Sequence, residues 1–242
     1  MSVFLALFTA LKFSKVLLTG GTMLLSLVLY AGLFGWPYAA GFVGLLFVHE
    51  MGHYLAAKQR GMDVSAPMFV PFLGALITIR QPPRDAETEA YMAYGGPFVG
   101  TLGAFAVYFW ARDAGSMTGL AIAYAGFFLN LFNLLPVSPL DGGRICAVLG
   151  PSVWLLGAPL LLALLIWRPS PVLLIVLIMA FPQLRAAWNY DKDAPASRAY
   201  YEVGTQARIE YTVMYLGLVA VLAMVTYSLH NELQAFHRTG WE

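Results

Sequence analysis

The sequence predicts an all-α membrane protein: a polytopic helical bundle of about six to seven transmembrane helices, with a short β-like element that dips into the bilayer. Two observations predict it. Of 242 residues, 60% are hydrophobic and only 11% are charged. A typical soluble domain carries about 25% charged residues to cover its exterior. The apolar residues are also gathered into long blocks. Residues 16–48 contain no charged side chain, and a helix needs only about 20 residues to cross.

The blocks follow in order. The first covers about 16–35 and ends at Trp36-Pro37; the second, about 38–58, stops at Arg60-Gly61. A third covers about 91–111. A fourth, about 117–135, runs into Pro136 and Pro139, which cannot continue a regular helix. The fifth is about 152–167. The sixth, 171–184, is short enough to be tilted or incomplete, and the seventh is about 211–229. Between the second and third blocks, residues 68–79 read M-F-V-P-F-L-G-A-L-I-T-I. This stretch is too short to span as a helix, and Pro71 and Gly74 interrupt it. A bent, extended segment inside the membrane is expected, buried in protein or lining a wet cavity. An amphipathic stretch at the interface is the alternative. The chain shows no repeat, low-complexity tract or appended soluble domain, so 1–242 reads as a single membrane-embedded domain.

Basic residues set the orientation. The N-terminal side collects Lys12, Lys15, Lys58, Arg60, Arg80, Arg84, Arg144, Arg185, Lys192, Arg198 and Arg208, and the other side Arg112, Arg168 and Arg238. The N-terminus is therefore expected in the cytoplasm, in a multi-pass protein of the cell membrane. Trp36, Trp110, Trp167 and Trp188 sit near block ends as interface anchors. A net charge of +1 without a basic cluster gives no nucleic-acid partner; the lipid bilayer is the expected surrounding. Cys146 is the single cysteine, so no internal disulfide forms. Lys12 and Lys15 precede a long apolar stretch without a small-residue cleavage site, so the first helix is expected to be retained. His230 and His237 read as a solvated tail without a role.

The sharpest motif is His49-Glu50-Met51-Gly52-His53 in the second block. Residues four apart share a helix face, about 6 Å apart along the axis, so both imidazoles can meet one metal ion. Glu50, beside the first histidine, is close enough to reach a metal-bound water without being a ligand. This is the H-E-x-x-H arrangement of zinc hydrolases. Ionisable groups are costly in an apolar helix and are usually functional there. The alternative is a polar trio satisfied between helices.

A catalytic zinc ion takes three protein ligands and keeps a fourth position open. The candidate third ligand is Asp141, in N-L-L-P-V-S-P-L-D-G-G from Asn133 to Gly143. The prolines force a turn, and Gly142 and Gly143 permit backbone shapes that other residues resist. A carboxylate on such a turn can point back into the bundle; a solvated loop aspartate is the alternative.

Together the H-E-M-G-H helix and the N-L-L-P-V-S-P-L-D-G-G segment resemble the site-2 protease family of intramembrane zinc metalloproteases (peptidase family M50). The resemblance covers a core of about residues 38–150. Gly95-Gly96-Pro97-Phe98-Val99-Gly100 resembles the family's glycine-rich segment, although Gly100 stands where that segment often has Asn. The resemblance implies one Zn2+ per chain held by His49, His53 and Asp141, with Glu50 as catalytic acid and base. It implies that Asn133 positions substrate or stabilises the oxyanion, whereas Asn130 reads as helix packing. It further implies that residues 68–79 meet substrate as an added strand and that the substrate is a transmembrane-helix protein. Asp141 falls on the N-terminal side by the count of basic residues, so the active site is expected to open to the cytoplasm. Two readings compete: a membrane-anchored zinc protease that cuts soluble or juxtamembrane chains, against which the mid-block position of the motif argues, and a non-proteolytic metal-binding scaffold or transporter. Glu50 discriminates, because a pure binding site needs no carboxylate beside the first histidine.

Overall fold

The computed structural model describes residues 19–65, 68–70, 74–76, 81–191 and 193–239. Helix α1, Thr19–Phe34, ends at Gly35, whose φ of 83° is a left-handed backbone that only glycine adopts freely. Helix α2, Trp36–Gln59, begins immediately, with Pro37 in its first turn where the missing N–H costs nothing. It closes on Arg60 and Gly61. The Gly61 N–H donates to Lys58 O at 3.0 Å, and the Met62 N–H reaches back to Ala57 O at 3.0 Å. Gly61 has φ 71°, which completes a left-handed helix stop. Met62 then packs with Ala57, Val64 and Met92.

Strands β1, Met68–Val70, and β2, Gly74–Leu76, pair antiparallel with Phe69 opposite Ala75. β2 touches α2. The rest of the 68–79 segment, including Pro71 and 77–79, lies outside the described residues. Helix α3, Ala86–Asp113, is capped by Asp85, which accepts from the Thr88 N–H at 2.7 Å. Glu87 and Glu89 in its first turn suit the positive end of the helix dipole. At its far end Gly115 has φ 60° and the Ser116 N–H donates to Ala111 O at 2.9 Å. The Ser116 hydroxyl then caps helix α4, Met117–Asn133, accepting from the Gly119 N–H at 3.1 Å. One serine thus follows the close of α3 and opens α4.

The chain turns through Pro136 and Pro139 into the short helix α5, Asp141–Ile145. Two 3-10 turns, Cys146–Leu149 and Pro151–Val153, lead to α6, Trp154–Trp167. Then come α7, Pro171–Trp188, α8, Pro195–Tyr201, and α9, Thr205–Thr239. α2, α3 and α4 pack in sequence, with α9 against α4 and α7 against α6. Phe127, Ala104, Ala123 and Leu222 join α3, α4 and α9 in one buried cluster. Val137, Leu161, Val176 and Ala180 join the turn, α6 and α7 in another.

Glycine sets how closely α2 and α3 approach. A Cβ on Gly52 would lie 2.2 Å from Gly95 O, and one on Gly95 would lie 2.6 Å from Gly52 O. Small residues at a helix crossing let backbones meet. A backbone obstacle cannot rotate away, so Gly52→Leu is expected to cost about 1–3 kcal/mol or more. Its melting midpoint in detergent is expected to fall by about 5 °C or more; a parent-like midpoint would show that the crossing yields.

The helices correct several sequence boundaries. Among the described residues, two segments are long and apolar enough to cross a membrane: α7 and residues Thr205–Phe236 of α9. α1, α4 and Pro151–Trp167 are apolar but shorter; 17 residues in α4 extend about 25 Å, against a hydrocarbon core of about 30 Å. α2 and α3 are longer, but polar side chains and glycines dilute their hydropathy. The sixth block extends beyond 184, since α7 continues to Trp188 and is 18 residues long. His230 belongs to α9 and not to a tail, with Nδ1 3.2 Å from the Tyr124 hydroxyl; the side chain of His237 lies outside the described set.

Candidate metal centre

One turn of α2 separates His49 from His53, and the bundle adds what they lack. Their Nε2 atoms are 3.1 Å apart and their ring centroids 4.8 Å apart. Asp141 brings Oδ2 to 3.2 Å from the Nε2 of each. These three residues offer ligand atoms that all lie within 4.8 Å of one another. His49 and Asp141 are buried, at 3% and 7% exposure, so the polar cluster is shielded from bulk solvent.

The protonation pattern follows from the outer partners. His53 Nδ1 is 2.8 Å from Met92 O. A carbonyl only accepts, so this nitrogen carries the hydrogen, and in the neutral ring Nε2 keeps its lone pair. His49 Nδ1 is 2.8 Å from Asn130 Oδ1, which makes the same demand. With both rings neutral, two nitrogen lone pairs and a carboxylate oxygen converge, as a metal ion requires. Tetrahedral bonds of about 2.0–2.1 Å set neighbouring ligand atoms about 3.3 Å apart. The donor set fits zinc in both chemistry and spacing, and three ligands leave a fourth position. Glu50 lies outside this trio. It is buried, and its charge acts on His53, His49, Asp141 and Arg144.

The site reaches Asp141 by close backbone contact and not by an open turn. Asp141 is the first residue of α5, after Leu140 as N-cap. The N–H groups of Gly143 and Arg144 donate to Leu140 O at 3.1 and 3.3 Å. The sequence expects Gly142 and Gly143 to serve an unusual backbone, yet both are helical. Their role is space: a Cβ on Gly142 would lie 2.1 Å from Leu134 O, and one on Gly143 would lie 2.1 Å from Ser138 N. Trp154 Nε1 donates to Gly143 O at 2.8 Å and ties α5 to the start of α6.

Asp141 uses its second oxygen elsewhere. Arg144 lies 3.9 Å from Oδ1 and also 3.2 Å from Glu89 Oε1. Tyr200 on α8 donates to the other Glu89 oxygen. Burial and the adjacent Glu89 charge push the Tyr200 phenol well up, so it remains a hydroxyl donor.

Asn133 makes a local bond: its Nδ2 donates to Leu129 O at 3.1 Å, one turn back in α4. The asparagine that touches the histidines is Asn130, which the sequence reads as packing. The one available signal was Gly100. A Cβ there would lie 2.4 Å from Asn130 Oδ1, and one on Gly96 would lie 2.2 Å from His53 Nε2. The glycine-rich stretch thus makes room for both the metal cluster and its support.

Comparison with known proteins points the same way. The family model for peptidase family M50 matches residues 37–115, which contain the two histidines and Glu50 but stop short of Asp141. The chain is 28% identical over 155 residues to the chloroplastic protein EGY1 of Arabidopsis thaliana, described as a probable zinc metalloprotease; the match covers 45% of this chain and 28% of that protein. It is 31% identical over 110 residues to the zinc metalloprotease MJ0392 of Methanocaldococcus jannaschii, covering 42% of this chain and 32% of the relative. The match thus spans about a third of the length of these curated relatives. The matched segment supplies His49 and His53, and the fold brings Asp141 to them from beyond it, so the chain is similar to peptidase family M50 over the part that carries two of the three candidate ligands.

Proposed function

We propose that this chain is a zinc metalloendopeptidase of the site-2 type, a multi-pass protein of the cell membrane that hydrolyses peptide bonds within or near transmembrane segments of other membrane proteins. The observation that carries this reading is the convergence of His49, His53 and Asp141 at 3.1–3.2 Å beside a buried Glu50. Bound by these three, zinc supplies Lewis acidity toward water and the scissile carbonyl. Glu50 takes a proton from the attacking water and later returns one to the leaving amine. Asn133 binds substrate or stabilises the developing oxyanion.

Support for the membrane setting comes from the exterior. Leu156, Ile166 and Trp167 on α6, Phe181 and Trp188 on α7, and Val213 and Met224 on α9 are all exposed. The apolar windows of α7 and α9 are only 22% buried, unlike core helices of a soluble protein. Such a surface suits lipid. The bundle crosses about six to seven times, with the N-terminus and the site's opening on the cytoplasmic side, as the basic residues indicate.

A substrate helix hides its carbonyls in hydrogen bonds and must unwind before attack. An edge of the β1–β2 hairpin, held beside α2, offers replacement backbone bonds to an extended segment. Purified in detergent, the protein is expected to hold one zinc ion and to cut single-span substrates inside the span. A zinc-loaded protein that cuts only soluble chains would remove the intramembrane reading, and one that takes up no zinc would remove the metal reading. Helix breakers should also accelerate cleavage: scanning Gly or Pro through a substrate span is expected to raise the rate near the cut bond. A flat profile along the whole span would count against local unwinding.

A further inference from the structure

Asn130 is 1% exposed, and its amide is fixed at both ends. Nδ2 donates to Gly126 O at 2.8 Å, one turn back in α4. That carbonyl can only accept, so the amide cannot turn over without setting oxygen against oxygen. Oδ1 must therefore face His49 Nδ1, 2.8 Å away. An oxygen there requires the imidazole hydrogen on Nδ1, which in the neutral ring leaves the Nε2 lone pair directed toward His53 and Asp141. Space for the amide comes from α3, where a Cβ on Gly100 would lie 2.4 Å from Oδ1 and 3.0 Å from Nδ2.

We infer that Asn130 is a positioning residue for the metal centre: it locks His49 in the Nδ1–H tautomer with Nε2 turned to the metal, and Gly100 is small in order to admit it. The inference rests on the metalloprotease reading above. The two histidines are held by different devices. His53 leans on the Met92 backbone carbonyl, which no side-chain substitution deletes, whereas His49 depends on one amide side chain from another helix. Orientation of this half of the site is therefore open to a single substitution that touches no metal. Partners that orient a metal-binding histidine and set its tautomer typically carry ten- to a hundredfold in metal affinity.

The test uses the full chain in detergent and compares the parent with Asn130→Ala, Asn130→Leu, Gly100→Ala and the double variant Gly100→Ala/Asn130→Ala. Zinc affinity is read by competition with a chromophoric chelator, folding by the melting midpoint, and the His49 tautomer by ring-nitrogen spectra of 15N-histidine-labelled, metal-free protein. Both Asn130 variants are expected to bind zinc about ten- to a hundredfold more weakly, the Leu variant while keeping the helix contact filled. Their His49 signals are expected to change from a single Nδ1–H form to a mixture. Gly100→Ala should weaken zinc binding similarly, although residue 100 is no ligand. The double variant should regain the midpoint lost in Gly100→Ala without regaining zinc affinity, which a purely structural role would not produce. An Asn130 variant that binds zinc within about twofold of the parent and keeps a single tautomer would overturn the inference. The two readings fail separately. A parent that takes up no zinc removes the metal site, whereas the metal-free nitrogen spectra decide the role of Asn130 on their own.

Discussion

Glu50→Gln is expected to abolish cleavage of membrane substrates while leaving folding and zinc content unchanged. The two side chains have nearly the same shape, so the packing of α2 against α3 is undisturbed. The amide has no basic oxygen with which to take a proton from water near neutral pH. A positioned general base contributes about 10²- to 10⁴-fold, and losses in that range would put most slow cleavages below detection. Glu50 is not among the three converging ligand atoms, so metal content should stay at the parent's value. The measurement is an initial rate on a cleavable single-span substrate, alongside metal analysis of the same preparation. If the Gln variant cleaves at the parent's rate, Glu50 is not the base and the proposed mechanism is wrong.

Asp141→Ala is expected to fail one step earlier, by losing the metal. The aspartate supplies the one anionic ligand, with Oδ2 3.2 Å from both imidazole nitrogens. Structural zinc sites hold their ion with roughly 10–16 kcal/mol, so an even share among four ligands is about 3 kcal/mol, or about a hundredfold in affinity. Loss of the carboxylate should act at least this strongly, because the two histidines alone bring no charge. The effect should exceed that of the Asn130 substitutions, which disturb a ligand without removing it. Chelator competition checks the prediction. Parent-like zinc affinity in Asp141→Ala would mean that the ion is held elsewhere.

The sequence made much of this site legible because its chemistry is local. His49 and His53 are separated by one helical turn, so a spacing rule found them without the fold. Asp141 is legible as a carboxylate beside a chain-turning segment, whereas its local form, the start of a helix packed against the 134–138 backbone, depends on contacts that no local pattern encodes. Asn130 escaped because its partner lies 81 residues away, and no periodicity relates a buried amide to a histidine on another helix. Helix interiors were read from apolar blocks, but their ends were clipped where first turns are polar. α3 begins at Ala86 with Glu87 and Glu89, and α9 begins at Thr205 with Gln206 and Arg208, so hydropathy alone started both helices late. The seven-residue α8 was too short and too polar to register, yet it delivers Tyr200 to Glu89.

The position of Arg144 between Asp141 and Glu89 bears on electroneutrality. A divalent ion and one guanidinium together balance the formal charges of three carboxylates, those of Asp141, Glu50 and Glu89. Where few waters screen them, an unbalanced set of charges is heavily penalised and a balanced one is tolerated. On the proposed reading, a zinc ion held by His49, His53 and Asp141 would therefore also be the counter-charge that lets an ionised Glu50 remain among apolar helices. Chelating it would leave an excess of negative charge around Arg144, which proton uptake by the freed ligands would have to meet.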